Sequence, residues 1–204
     1  MSAGNIFQAL EPVIEVFDAL GIRYQIGGSV ASSAYGIARA TLDVDLVADL
    51  NERQIRPLFN RLRDAYYIDE DRVRDAVARR SSFNIIHLGS MLKVDVFVLK
   101  SHPYDQAAFA RARREKLGEG ALTRQHYLAS PEDVILKKLD WYRQGGCISE
   151  RQWNDALGVL KVQQSSLDMQ YLRHWAATLG LTDLLLRALA DAGMENRTGP
   201  TEGV

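Results

Sequence analysis

The chain has 204 residues, 47% hydrophobic and 25% charged, with 25 basic and 26 acidic side chains and a net charge of −1. That length suits one large domain or a core with an appendage, and the near-neutral balance excludes a global electrostatic attraction to nucleic acid. Cys147 is the only cysteine, which rules out an intrachain disulfide and a cysteine-based zinc site and agrees with a reducing, cytoplasmic setting.

The first twenty residues lack a basic segment followed by an uninterrupted apolar core, so they do not read as a signal peptide. Ile6, Leu10, Val13, Ile14, Phe17 and Leu20 recur at helical spacing, which predicts an amphipathic first helix ending near Gly21 and started or kinked by Pro12. Residues 23–26 read as a short strand entering a Gly27-Gly28-Ser29 turn, and Val30 to Ile37 as a helix with Ser29 as its N-cap. A strand is expected over Leu42–Ala48, a helix over Glu52–Asp64 and a short helix over 70–80. Ser82–Leu88 and Leu92–Leu99 flank Gly89-Ser90 as a hairpin would. Arg111 to Lys116 reads as a solvated helix face or, with Arg79 and Arg80, as a local basic patch. Gly118-Glu119-Gly120 is a turn before a strand around Ala121–Tyr127.

After Ser130-Pro131 the pattern is helical throughout, over 131–144, 150–163, 168–179 and 181–192. Ser130 caps the first of these and Pro131 takes its first position. The expected organisation is an α/β half over 1–129, a helical module over 130–193 and a polar, disordered tail over 194–204. No apolar run reaches the roughly 18 residues that a membrane span needs.

The strand over 42–48 carries charge where apolar residues are expected. Residues two apart on a strand share a face, so Asp43 and Asp45 project together. Asp95 interrupts a second apolar strand, Lys93-Val94-Asp95-Val96-Phe97-Val98. If the two strands are neighbours, three carboxylates converge, and hard cations such as Mg²⁺ are what neutralise such a group. Asp43 and Asp45 would hold one or two ions bridging triphosphate oxygens. Asp95 would complete the second site and accept the proton of an attacking hydroxyl. Gly28 permits close approach of backbone to phosphate, and the N–H groups and hydroxyl at Ser29 face an anion. Arg39 either clamps a phosphate or pairs with an acidic neighbour.

Gly28-Ser29, thirteen intervening residues, Asp43-Val44-Asp45 and the later Asp95 resemble the signature of the polymerase-β type nucleotidyltransferase superfamily. Residues 39–45 are similar to the minimal nucleotidyltransferase and abortive-infection toxin group. The likeness is specific over about residues 22–100 and looser from Pro131 to Asp155. It implies an α/β (α+β) fold, with a small mixed β-sheet nucleotidyltransferase core, flanking helices and a C-terminal helical module. It also implies transfer of a nucleoside monophosphate from an NTP such as ATP to a hydroxyl, with Mg²⁺ or Mn²⁺ in a two-metal site. Asp43, Asp45 and Asp95 would be catalytic and metal-binding. Gly28, Ser29, Arg39 and Lys138 would bind the nucleotide, the last because relatives carry a lysine on a helix after the core, with Lys137 the alternative that the helical register leaves open. The acceptor would be a protein, an RNA or a small molecule, and a cognate antitoxin would be a partner in a toxin–antitoxin or phage-defence setting.

Other residues have plainer readings. Arg151 and Asp155 stand four apart on a helix, the spacing of a salt bridge. His87, beside Asn84 on its strand, reads as a lone structural histidine, and His102, His126 and His174 share no ligand spacing. Trp141, Tyr142 and Trp153 read as helical core. An antibiotic-modifying enzyme would need an acidic pocket, for which Glu132, Asp133 and Asp140 are the candidates. The alternative to an enzyme is a non-catalytic nucleotide-binding or interaction module on the same fold.

Overall fold

Alternating apolar positions build the strands, and a computed structural model describes residues 4–117 and 124–194 of the chain. The chain divides into two compact units, one of Met1–Ala31 and Arg39–Ser130, the other of Ser32–Ala38 and Pro131–Val204.

In the first unit, helix α1 (Gly4–Ala19) leads to β1 (Tyr24–Ile26) and the start of α2 (Gly28–Tyr35). Then come β2 (Asp43–Ala48), α3 (Glu52–Leu62), β3 (Tyr66–Tyr67), α4 (Glu70–Arg79), β4 (Ser82–His87) and β5 (Lys93–Val98). Helix α5 (Pro103–Ala110), β6 (Arg113–Lys116) and β7 (Gln125–Leu128) complete it. The strands form one mixed sheet in the order β3-β4-β5-β2-β1-β7-β6. At its centre β2 and β5 run parallel, while β4 and β5 form the antiparallel hairpin expected across Gly89-Ser90.

Period-two alternation gives β2 and β5 one fully apolar face: Val44, Leu46, Ala48, Val94, Val96 and Val98 are buried. Helix α1 packs on both strands and on α3, bringing Leu10, Val13, Ile14 and Phe17 into the core with Ile55, Leu58 and Leu62. The Tyr66 hydroxyl donates to Ala9 O at 2.7 Å, tying edge strand β3 to α1. Asn51 and Gln54 form a capping box at the start of α3. The apolar face of the sheet thus fixes, by default, which residues stand on the other.

Three local expectations differ from the structure. Helix α2 begins at Gly28, so Ser29 lies inside its first turn, and the Ala31 N–H closes that turn on Gly27 O at 3.1 Å. Arg113–Lys116 is an edge strand paired antiparallel to β7, not a helix face. The strand expected from Ala121 begins, among described residues, at Gln125, and the Gly118-Glu119-Gly120 turn lies outside them.

In the second unit α6 (Pro131–Gln144), α7 (Glu150–Gln163), α8 (Met169–Thr178) and α9 (Thr182–Asp191) follow the helical periodicity closely. Helix α6 packs on α7, α8 and α9 around Ile135, Leu139, Val159, Leu172 and Leu185, and the Tyr142 and Trp153 rings meet at 4.9 Å. Residues 32–38 join this unit through small residues. A Cβ on Gly36 would lie 2.8 Å from the Gly158 carbonyl carbon, so only glycine permits the approach, and Gln163 Nε2 donates to Tyr35 O at 2.9 Å. The tail expected over 194–204 lies outside the described residues from 195 onward. No helix among the described residues is long and apolar enough to cross a membrane.

Candidate active site

Because β2 and β5 are neighbours in register, Asp45 stands directly opposite Asp95, and Asp43 opposite Lys93. Asn84 of β4 is opposite Asp95 on its other side. All five side chains therefore share the face away from the apolar core, on strands spaced about 4.8 Å apart. Asp43 and Asp45 are half-buried there, and so is Asp95.

The glycine turn closes on the same row. Gly27 N donates to Asp45 O at 2.9 Å, which anchors the turn to β2. Gly28 has φ +54, and a Cβ there would fall 1.7 Å from Asp45 Oδ2. Both the left-handed backbone and the carboxylate lying over it require glycine at this position. Ser29, almost fully buried, accepts a hydrogen bond at Oγ from the Arg39 guanidinium. Arg39 is thus brought to the turn from ten residues downstream, at the head of the segment that leads into β2.

Each carboxylate has its own engagement. Thr41 Oγ1 donates to Asp43 Oδ1 at 2.7 Å, Asp45 turns over Gly28, and Lys93 Nζ donates to Asp95 Oδ2 at 2.7 Å. That hydrogen bond holds the Lys93 pKa above its usual value; burial opposes it, while the charges of Asp95, Asp43 and Asp45 add to it. Three carboxylates on one face are the donor chemistry a hard cation takes. Among the described residues, however, no three His, Cys, Asp or Glu side chains are gathered into a ready cation cluster. The donor set fits a divalent ion.

Beside Asp95 lies a cavity of about 560 Å³, lined also by Asp71, Arg72 and Asp75 of α4 and by Ser82, Phe83 and Asn84 of β4. Sequence reasoning did not find it, because helix α4 carries no motif. Lys93 and Thr41 were also missed, although Lys93 stands two residues before Asp95 on a strand, a spacing that puts both on one face.

Lys138 belongs to the second unit. Its side chain is 2% exposed, and its ammonium pairs with Asp155 Oδ2 at 2.7 Å. Asp155 thus faces inward to Lys138 rather than making the expected pair with Arg151, which is exposed. The three carboxylates considered for an acidic pocket are engaged locally instead. Glu132 Oε1 accepts from Asp168 N at 2.9 Å and Asp133 Oδ1 from the Tyr171 hydroxyl at 2.8 Å. Asp140 accepts from Arg143 and Gln144.

No protein-family model and no curated protein matches the sequence. Among solved structures, the chain is similar to an antigenic nucleotidyltransferase-like protein from Paracoccidioides brasiliensis. The two are 19% identical, with 94% of this chain and 93% of that one covered and a TM-score of 0.57. The fold is a nucleotidyltransferase fold. The antibiotic-resistance factor ANT(2'')-Ia in solution is similar too, at 14% identity, 93% and 99% coverage and a TM-score of 0.54. The same factor in complex with adenylyl-2''-tobramycin aligns over 84% of this chain and 95% of that one, at 14% identity and a TM-score of 0.53. Identity this low speaks for the fold alone, and the chemistry is argued from the residues.

Proposed function

We propose that the chain is a nucleotidyltransferase that moves a nucleoside monophosphate from an NTP such as ATP to a hydroxyl acceptor. The observation that carries this reading is the register of the central strands. It puts Asp45 opposite Asp95, with Asp43 on the same face and the Gly28 turn closed against Asp45. In the reaction the acceptor oxygen forms a bond to the α-phosphorus, the bond from that phosphorus to the β-bridging oxygen breaks, and pyrophosphate leaves. Asp95 takes the hydroxyl proton. Asp43, Asp45 and Asp95 would hold Mg²⁺ or Mn²⁺, which would supply charge neutralisation for the phosphates and the leaving group. The Gly28-Ser29 backbone approaches the triphosphate, and Arg39, held by Ser29, neutralises it. Lys138, for which the family resemblance implies a nucleotide contact, donates to Asp155, and the reading rests on Arg39 and Ser29.

The acceptor enters by the cavity beside Asp95, whose volume is in the range of small-molecule sites. Its lining carries Asp71, Asp75 and Asp95 against the single Arg72, which disfavours a polyanionic RNA and favours a small molecule or a protein side chain. In ANT(2'')-Ia, which shares the fold, the bound group is a small molecule, adenylyl-2''-tobramycin. The abortive-infection resemblance supports a toxin–antitoxin or phage-defence setting with a cognate antitoxin.

The test is incubation with α-labelled NTPs and Mg²⁺ in host lysate, scoring label transfer. Wild type is expected to label one class of acceptor, and Asp45→Asn to lose about 10³-fold of that rate. Equal labelling by both proteins would refute the mechanism. Nucleotide binding without any transfer would favour a non-catalytic nucleotide-binding or interaction module.

A further inference from the structure

We propose that Lys93 is a resident counter-cation of the carboxylate face, whose ammonium holds the Asp95 oxygen that a divalent ion needs, so that loading the site exchanges one cation for another. The inference rests on the metal-dependent reading above and concerns how that site is filled.

The strand geometry sets it up. Lys93 and Asp95 lie two apart on β5 and share a face, and Lys93 stands directly opposite Asp43 on β2. The ammonium therefore starts beside one carboxylate and reaches back to another, with Asp45 next in the row. Three like charges stand on these adjacent strands, and Lys93 supplies the counter-charge to Asp95. Asp95 Oδ2 is turned to Lys93, while Asp43 Oδ1 is turned to Thr41.

A permanent structural pair would be buried, as Lys138 and Asp155 are. Lys93 is instead 42% exposed and Asp95 21%, and a pair this open adds little to stability. Its four-carbon stem is flexible and its ammonium is readily hydrated, so release into solvent is easy. A doubly charged ion shared by three carboxylates outcompetes a single ammonium held by one.

Displacement makes a prediction opposite to that of a ligand role. If Lys93 competes with the ion, removing its charge tightens ion binding. If it serves the triphosphate, removal weakens nucleotide binding and leaves the ion unaffected. The experiment measures Mn²⁺ binding without nucleotide, from the free-Mn²⁺ electron paramagnetic resonance signal, for wild type, Lys93→Gln, Lys93→Met, Lys93→Arg and Asp95→Asn. Melting temperatures in EDTA are taken alongside. Lys93→Gln and Lys93→Met are expected to bind Mn²⁺ about tenfold more tightly, a change that about 1.4 kcal/mol produces, and to melt close to wild type in EDTA. Lys93→Arg, which keeps the charge, should restore wild-type affinity, and Asp95→Asn should weaken it. Unchanged or weaker Mn²⁺ binding in both neutral variants, with binding intact in wild type, overturns the exchange and leaves the metal site standing. Absence of Mn²⁺ binding in every protein, wild type included, overturns both.

Discussion

The two units hold charge in opposite ways. In the helical unit, Lys138 and Asp155 are both nearly inaccessible and meet at 2.7 Å, and Glu132 and Asp133 are equally buried with donors of their own. In the sheet unit, Asp43, Asp45 and Asp95 are half-buried on an open face, where Lys93 pairs with Asp95. Buried charge matched one to one holds a structure together, since losing either partner strands the other in a low dielectric. Half-buried like charge gathered on one open face raises the local field and invites a ligand. Similar residue types on apolar elements therefore carry different meanings, and exposure separates them.

Asp155→Asn sharpens the contrast with the largest expected effect on stability. It leaves the Lys138 ammonium buried beside a neutral amide and should cost about 3–5 kcal/mol by chemical denaturation. Replacing both partners together, Lys138→Met with Asp155→Leu, should recover most of that. A loss below about 1 kcal/mol for the single variant would mean that the pair is no more structural than the exposed one on the sheet.

A smaller effect comes from a third kind of charge, in the sheet unit but away from the carboxylates. His126 on β7 is 1% exposed, with Nε2 2.9 Å from Glu11 Oε1 but out of hydrogen-bond alignment. Burial, its largest influence, pushes its pKa below the usual 6.5; Glu11 pulls it up, and Arg124 adds to the depression. A histidine whose folded pKa is depressed gives stability that is fully present above its unfolded pKa. That stability is lost as pH falls below about 6.5 toward the folded value, because the unfolded chain takes up the proton first. Melting temperature should therefore fall over that window, and His126→Gln should flatten the fall. A wild-type melting temperature that rises as pH drops through this range would contradict the assignment.

Much of this was readable from sequence because it depended on local periodicity. Asp43, Asp45 and Asp95 stood out as breaks in apolar strands, and the four long helices after Pro131 carry their own spacing. What escaped depended on partners far away in sequence. Arg113–Lys116 looks like a charged helix face because nothing in it is apolar, and only pairing with β7 makes it a strand. Strand β3 has two residues, too few for any period to show. Pairing of Asp155 with Lys138 across two helices overrode the local i, i+4 option with Arg151. The cavity beside Asp95 needs α4 to pack against β4, a contact that no residue in Glu70–Arg79 announces.

The central claim is that the open carboxylate face takes a metal-bound nucleotide while the buried charges of the helical unit serve the fold. A thermal-shift titration with each NTP, with and without Mg²⁺, on wild type and on the Asp43→Asn/Asp45→Asn double variant tests it most directly. A ligand that binds the native state alone raises its stability, and at a hundred times Kd the gain is about 2.7 kcal/mol. The expected result is a Mg²⁺-dependent rise with at least one NTP in wild type and none in the variant, whose own melting temperature should match or exceed wild type once like charges are removed. A rise of equal size in both proteins, or none in wild type with any NTP at millimolar concentration, would contradict the account.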